Sequence, residues 1–119
     1  MRYLSAITFV LGICFSCNQR KSKPITEFSQ NDIDTGILVD VRTPVEFAAG
    51  HLEGAVNVDW LDPGFAHKFD TVAKGTTVYL YCQKGGRSAR ATRFLDSLGY
   101  SKVVDLSGGY AAWSRTRSK

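Results

Sequence analysis

A cysteine in a short glycine-rich segment is the feature of this sequence with the clearest chemical potential. The segment Cys82-Gln83-Lys84-Gly85-Gly86-Arg87-Ser88 follows an apolar, β-prone run over residues 77–81 and precedes a helical pattern over residues 89–98. Backbone N–H groups in such a turn and at a helix N-terminus carry positive partial charge, and two cationic side chains add to it. These surroundings favour a thiolate over a thiol and attract anions. The pattern therefore predicts that Cys82 is a nucleophile.

The first residues have the pattern of an export signal. Met1-Arg2 is followed by an apolar run over residues 3–15, which is short for a membrane span but suits the core of a signal peptide. The run ends in Ser16-Cys17, which resembles a bacterial lipoprotein cleavage site. We therefore predict a lipoprotein signal peptide over 1–16, a lipid on Cys17 and a tether over 17–24. An uncleaved short anchor and a plain secretory signal are the alternatives. The expected product is an exported, membrane-anchored lipoprotein facing the bacterial periplasm.

The number and positions of the cysteines indicate the chemical state of Cys82 in the folded part of the chain. The sequence has 3 cysteines. Cys14 would leave with the signal peptide and Cys17 would carry lipid, so Cys82 would have no disulfide partner in an oxidising compartment. A buried, inert cysteine is the alternative, but the Gly, Lys and Arg neighbours disfavour it. One cysteine and two scattered histidines have no metal-ligand spacing, so no metal site is predicted.

Length and charge indicate one small domain. The chain has 119 residues and a net charge of +4, and much of that charge lies in the segments 20–23 and 115–119. About 100 residues are enough for a single core, which we place at 25–114, with a basic tail at 115–119. Basic helices and interleaved aromatic and basic residues are both missing from the sequence, so nucleic-acid binding is not expected. We expect a monomer.

Alternating strand and helix signals predict an α/β fold. Strands are expected at 24–28, 37–41, 54–58, 76–81 and 102–105, and helices at 63–73 and 89–98, with a helical turn at 110–113. Thr43, Pro44 and Glu46 form the pattern of a capping box, Ser88 is the expected N-cap of the helix after the cysteine loop, and Gly99 is placed just beyond that helix. This alternation is typical of a parallel sheet covered by helices on both faces, which binds ligands at the carboxyl ends of its strands. Cys82 lies at one such end.

Several motifs in order resemble a single-domain rhodanese. They are Leu38-Val39-Asp40-Val41-Arg42, Glu46-Phe47, the segment 50–57, the loop 82–88 and Gly108-Gly109-Tyr110-Ala111-Ala112-Trp113. The resemblance implies a three-layer α/β/α fold with a five-stranded parallel sheet. It implies that Cys82 takes a sulfane sulfur from thiosulfate or another persulfide donor and passes it to cyanide or a thiol. Backbone N–H groups of residues 83–88 would hold the outer sulfur, and no cofactor would be needed.

The length of the loop bears on the alternatives. Four residues separate Cys82 from Arg87, as is typical of rhodaneses, whereas the related cell-cycle phosphatases have one more. The smaller loop suits one sulfur atom better than phosphate, so phosphatase or arsenate reductase chemistry is the weaker alternative. A non-catalytic module for partner binding or for redox or sulfur sensing is another. Gln83 stands where family members that prefer thiosulfate often have Arg, which leaves the donor open. Asp40 and Arg42 are expected to support the site, by pairing within the domain rather than by direct catalysis.

Overall fold

A parallel five-stranded sheet forms the centre of the fold. The structure is a computed structural model that describes residues 21–118. Its strands are β1 (Ser22–Pro24), β2 (Gly36–Asp40), β3 (Val56–Asn57), β4 (Thr77–Tyr81) and β5 (Val103–Ser107), in the order β1-β5-β4-β2-β3. The helices are α1 (Pro44–Ala48), α2 (Gly86–Ser97) and α3 (Gly109–Arg117), with 3₁₀ helices at Ile25–Glu27, Gln30–Thr35 and Ala66–Phe69. The predicted signal peptide and Cys17 lie outside the described residues. Within those residues, no helix is both long and apolar enough to cross a bilayer.

Both faces of the sheet are buried, as the nearly continuous apolar strands predict. Because side chains alternate along a strand, Leu80 and Tyr81 contribute to two different hydrophobic clusters. The first cluster includes Ala91 and Leu95 of α2, and Trp113 of α3 packs against the second. The predicted three-layer α/β/α architecture is therefore confirmed.

The short helix after β2 begins as the sequence predicts. The Thr43 hydroxyl accepts the Glu46 N–H at 3.3 Å, and the Glu46 carboxylate accepts the Thr43 N–H at 3.2 Å. Pro44 occupies the first helical position, where its missing N–H costs nothing. These reciprocal bonds make the predicted capping box and fix where Glu46 lies.

Helix α2 begins earlier than predicted. Its N-cap is Gly85, and the helix starts at Gly86, so Ser88 lies inside the first turn instead of capping it. The cause is the backbone of Gly85, whose φ of +129° is favourable only for glycine. The other end is as predicted, because Gly99 follows the helix with φ +96°.

Three further predictions need correction. The strand expected at 24–28 lies at Ser22–Pro24, within the predicted tether, and the chain then turns to bury Ile25. The helix expected at 63–73 is only a 3₁₀ turn at Ala66–Phe69, because backbone N–H groups along this segment bond to the carbonyl three residues back rather than four. The expected turn at 110–113 extends to Arg117, so helix α3 includes the start of the basic tail.

Candidate active site

The end of β4 and the start of α2 place Cys82 in a tight loop. Strand β4 ends at Tyr81 and helix α2 begins at Gly86. The left-handed turn at Gly85 brings its own N–H to the Cys82 Sγ, with a nitrogen-to-sulfur distance of 3.0 Å. The thiol is therefore held by a backbone donor at a helix N-terminus, as the sequence predicts.

Cys82 is nevertheless buried. Its residue is 1% exposed and packs in the same hydrophobic cluster as Leu80. Its polar surroundings are confined to the loop side, where Ser88 Oγ lies 3.4 Å from Sγ. The sequence predicts these polar neighbours but not the depth of the sulfur, which follows from its position directly after a strand buried on both faces.

The first turn of α2 supplies further donors around the sulfur loop. Gly86, Arg87 and Ser88 are the first three residues of a 12-residue helix, so their N–H groups have no acceptor inside the helix. Within residues 21–118, they find no other backbone carbonyl either. Unpaired N–H groups at this end of a helix stabilise negative charge. The loop is thus suited to an anion or to a polarisable sulfur carrying negative charge.

Helix α3 holds the base of the loop from the other side. The N–H of Tyr110 donates to the Cys82 carbonyl at 2.8 Å, and that of Ala111 donates to the Gln83 carbonyl at 3.0 Å. This approach needs Gly109, where an added Cβ would lie 2.5 Å from the Cys82 carbonyl oxygen. The sequence motif at Gly108-Gly109 does not by itself predict this contact, although the pair of glycines is the signal that could have indicated it.

Asp40 and Arg42 form a buried frame beside the loop. The Arg42 guanidinium donates to Asp40 Oδ2 at 2.7 Å and to the Gly50 carbonyl at 2.6 Å. A third bond joins Arg42 Nη1 to Gln83 Oε1 at 3.1 Å. Asp40 is 0% and Arg42 2% exposed. The predicted pairing within the domain is therefore confirmed, and Arg42 also orients the first loop side chain.

Arg87 pairs with the Glu46 carboxylate, which the sequence pattern predicts only as a helix cap. Its guanidinium donates to both oxygens of Glu46, at 2.7 and 3.0 Å. This hydrogen bond is the main reason that the pKa of Glu46 falls to about 2. The same bond raises the pKa of Arg87, and negative charge on Cys82 raises it further. Arg87 therefore lies within electrostatic reach of the sulfur, but its charge is largely balanced. Lys84 is exposed and donates no hydrogen bond to any residue in 21–118.

Comparison with known proteins identifies the family. The sequence model of the rhodanese-like domain family matches residues 25–116 of this chain. The chain is 37% identical over 87 residues to thiosulfate sulfurtransferase 16, chloroplastic, of Arabidopsis thaliana, covering 65% of this chain and 72% of that protein. It is 36% identical over 85 residues to a sulfurtransferase of Allochromatium vinosum, covering 71% and 77%. A crystal structure of a rhodanese-related protein from Thermoplasma volcanium superposes with a TM-score of 0.68 at 26% identity, covering 80% and 91%.

The chain belongs to the rhodanese-like family. Its sulfurtransferase relatives support sulfur transfer at the level of the family. The predicted α/β fold agrees with the solved structures, since their likeness covers most of the chain.

Proposed function

We propose that this protein is a sulfurtransferase that carries a sulfane sulfur on Cys82. The Cys82 thiolate attacks the outer sulfur of thiosulfate or of a persulfide donor. A bond forms between the two sulfur atoms, and the donor leaves as sulfite or as a thiolate with the electrons of the broken bond. A second nucleophile, cyanide or a thiol, then attacks the outer sulfur and releases the Cys82 thiolate.

The observation that carries this proposal is the Gly85 N–H on the Cys82 Sγ, at the start of α2. A thiolate, not a thiol, is the nucleophile, and a partly buried helix terminus stabilises a negative charge by up to ~2 kcal/mol. Once a sulfur is added, negative charge moves outward from Sγ. The unpaired N–H groups of Gly86, Arg87 and Ser88 are the donors available to that outer atom.

Burial of Cys82 favours the second candidate, a module that binds a partner without turnover. A thiol that is 1% exposed is reached only by a small group that enters the loop. The outer sulfur of a donor meets that condition better than the central atom of phosphate or arsenate does, which is also the reason to rank phosphatase and arsenate chemistry lower. Formation of a persulfide separates the two remaining candidates.

The experiment is intact-protein mass spectrometry after exposure to thiosulfate, and separately to glutathione persulfide. We expect an added mass of one sulfur atom on the wild type and none on Cys82→Ser. Cyanide should then remove the added sulfur and release thiocyanate. If neither donor adds sulfur to a folded wild type, the enzyme proposal is wrong and the binding module stands.

We also propose the lipid anchor at Cys17 that its sequence context predicts. In a bacterial host, the full chain should fractionate with membranes and incorporate labelled fatty acid, while Cys17→Ser should do neither. Cys14→Ser is the matched control, because it changes a neighbouring cysteine and leaves the predicted lipid acceptor in place. Equal fractionation of wild type and Cys17→Ser would contradict lipid attachment.

A further inference from the structure

Two arginines beside the cysteine loop are each paired with a carboxylate. The Arg42 guanidinium donates to Asp40 Oδ2 at 2.7 Å, and the Arg87 guanidinium donates to both Glu46 oxygens. Lys84 is exposed, so water weakens the effect of its charge. The two pairs add no net charge to the loop, and its positive character comes mainly from the backbone at the start of α2.

The Glu46 carboxylate is fixed at its position next to Arg87. Its Oε1 accepts the Arg87 guanidinium at 2.7 Å, the Thr43 N–H at 3.2 Å and the Thr43 hydroxyl at 3.0 Å. The bond with Arg87 lowers the pKa of Glu46 to about 2, so the carboxylate is ionised at neutral pH. The carboxylate cannot turn away from Arg87 without losing the bonds that cap α1.

The two classes of sulfur donor differ in the charge that they bring to this loop. Thiosulfate is a dianion, so attack by the Cys82 thiolate gathers three negative charges; the products are the Cys82 persulfide anion and the sulfite dianion. A protonated persulfide, R–S–SH, brings no charge to its reacting end, and the products are the Cys82 persulfide and a thiolate. The start of a helix supplies roughly half a positive charge, which matches the second reaction better than the first.

We infer that Glu46 is a specificity-determining residue that selects a persulfide donor over thiosulfate by neutralising Arg87. This inference rests on the proposed sulfur transfer through Cys82. With Glu46 present, a sulfonate near Arg87 meets a carboxylate as well as a guanidinium. Without it, Arg87 would offer a full positive charge and the two N–H groups that Glu46 now accepts.

The test compares two donors that offer the same outer sulfur and differ by one charge. Thiosulfate carries two negative charges, whereas methanethiosulfonate, with a methyl group in place of one sulfonate oxygen, carries one and leaves as methanesulfinate. The rate of persulfide formation on Cys82 is measured with each donor by quenched intact-protein mass spectrometry at neutral pH. Glu46→Gln keeps an acceptor for Thr43 but loses the charge, and it should raise the ratio of the thiosulfate rate to the methanethiosulfonate rate about tenfold. A merely structural loss would slow both reactions and leave their ratio unchanged.

Asp96→Asn is the matched control. It removes one carboxylate from the ion pair with Lys21 and so changes the net charge of the protein equally. At 1.5 Å per residue, Asp96 lies about 15 Å along α2 from Gly86, so the ratio should stay at its wild-type value. An equal rise in both variants would overturn the inference, because net charge would then be the cause. A wild type that gains sulfur faster from thiosulfate than from glutathione persulfide would also overturn it.

A second measurement separates this inference from the sulfurtransferase proposal. Alkylation of Cys82 by iodoacetate and by iodoacetamide compares an anionic with a neutral reagent and needs no sulfur transfer. If donors add sulfur to wild type but Glu46→Gln leaves the donor ratio unchanged, the inference is wrong and the sulfurtransferase proposal stands. If no donor adds sulfur to wild type, that proposal falls and the alkylation ratio decides. A higher iodoacetate-to-iodoacetamide ratio in Glu46→Gln would then support charge selection by Glu46, and an unchanged ratio would overturn it.

Discussion

The ends of β2 and β4 lie side by side but differ in how their polar groups are paired. The two strands are paired in the sheet, and just beyond them the N–H of Val41 donates to the Tyr81 carbonyl at 2.9 Å. Beyond β2, the Arg42 guanidinium is bound by Asp40, Gly50 and Gln83. Beyond β4, the Cys82 Sγ accepts one backbone N–H, and the next three N–H groups have no backbone acceptor within residues 21–118.

The paired groups after β2 hold the cysteine loop in place, whereas the open donors after β4 are available to a substrate. Hydrogen bonds to Asp40, Gly50 and Gln83 use most of the Arg42 guanidinium donors, and they fix the Gln83 side chain at the first position of the loop. Open donors around Cys82 are costly unless a ligand or water binds them, which is the condition expected where a group is received and released. The hydrogen-bonded Arg42 after β2 thus holds the loop whose N–H groups, after β4, remain without a backbone acceptor.

Breaking the frame should have the largest effect. Arg42→Met removes the charged partner of the buried Asp40 carboxylate. Loss of one member of a buried ion pair costs about 3–5 kcal/mol. We expect the free energy of unfolding, measured in urea, to fall by that amount, with loss of persulfide formation because Gln83 is no longer held. Arg90→Met is the control, since Arg90 is exposed on α2. A drop similar to that of the control would mean that the frame does not support the fold.

Much of this frame and of the loop can be predicted from sequence because the signals are local. The apolar run at 37–41 defines β2, and residues immediately after a parallel strand lie at its ligand-binding end. Thr43, Pro44 and Glu46 lie within four residues of one another, so their capping bonds are predictable. The seven residues of the cysteine loop directly follow β4 and likewise contain the turn glycine and the helix start.

Other contacts cannot be predicted because they join distant parts of the chain. The Arg87–Glu46 pair spans 41 residues, and it depends on the exact position of a helix start that the Ser88 signal misplaces. Asp105 looks like an ordinary strand residue, and its burial follows from the pairing of β4 with β5. The 3₁₀ turn at Ala66–Phe69 has a helical apolar pattern, but the backbone N–H groups there bond three residues back instead of four.

A substitution in α3 that crowds the cysteine loop should have the next largest effect. Gly109→Ala places a Cβ 2.5 Å from the Cys82 carbonyl oxygen at a backbone φ of +62°. The left-handed backbone costs roughly 1–2 kcal/mol and overpacking about 1–3 kcal/mol more. We expect lower stability in urea unfolding and slower persulfide formation, since the base of the loop must shift.

Gly86→Ala gives the matched comparison for that substitution. An added Cβ at Gly86 meets no atom within 4 Å, and the residue is helical. Replacing such a glycine should leave stability unchanged or raise it by about 0.4–1 kcal/mol. Equal losses from both substitutions would contradict the close approach of α3 as the cause.

The smallest effect is expected at the link between the two strand ends, where Glu46 of α1 holds Arg87 of α2. The pair is partly exposed, so Glu46→Gln should cost less than about 1 kcal/mol at neutral pH. Because Arg87 lowers the pKa of Glu46 from 4.5 to about 2, its stabilisation is present above pH 4.5 and is lost as pH falls through about 2. Urea unfolding from pH 7 to 2 should therefore show the wild type and Glu46→Gln converging in acid. A difference that stays constant with pH would mean that the charge of the Glu46 carboxylate does not stabilise the fold, which would contradict the pairing with Arg87 as the source of the effect.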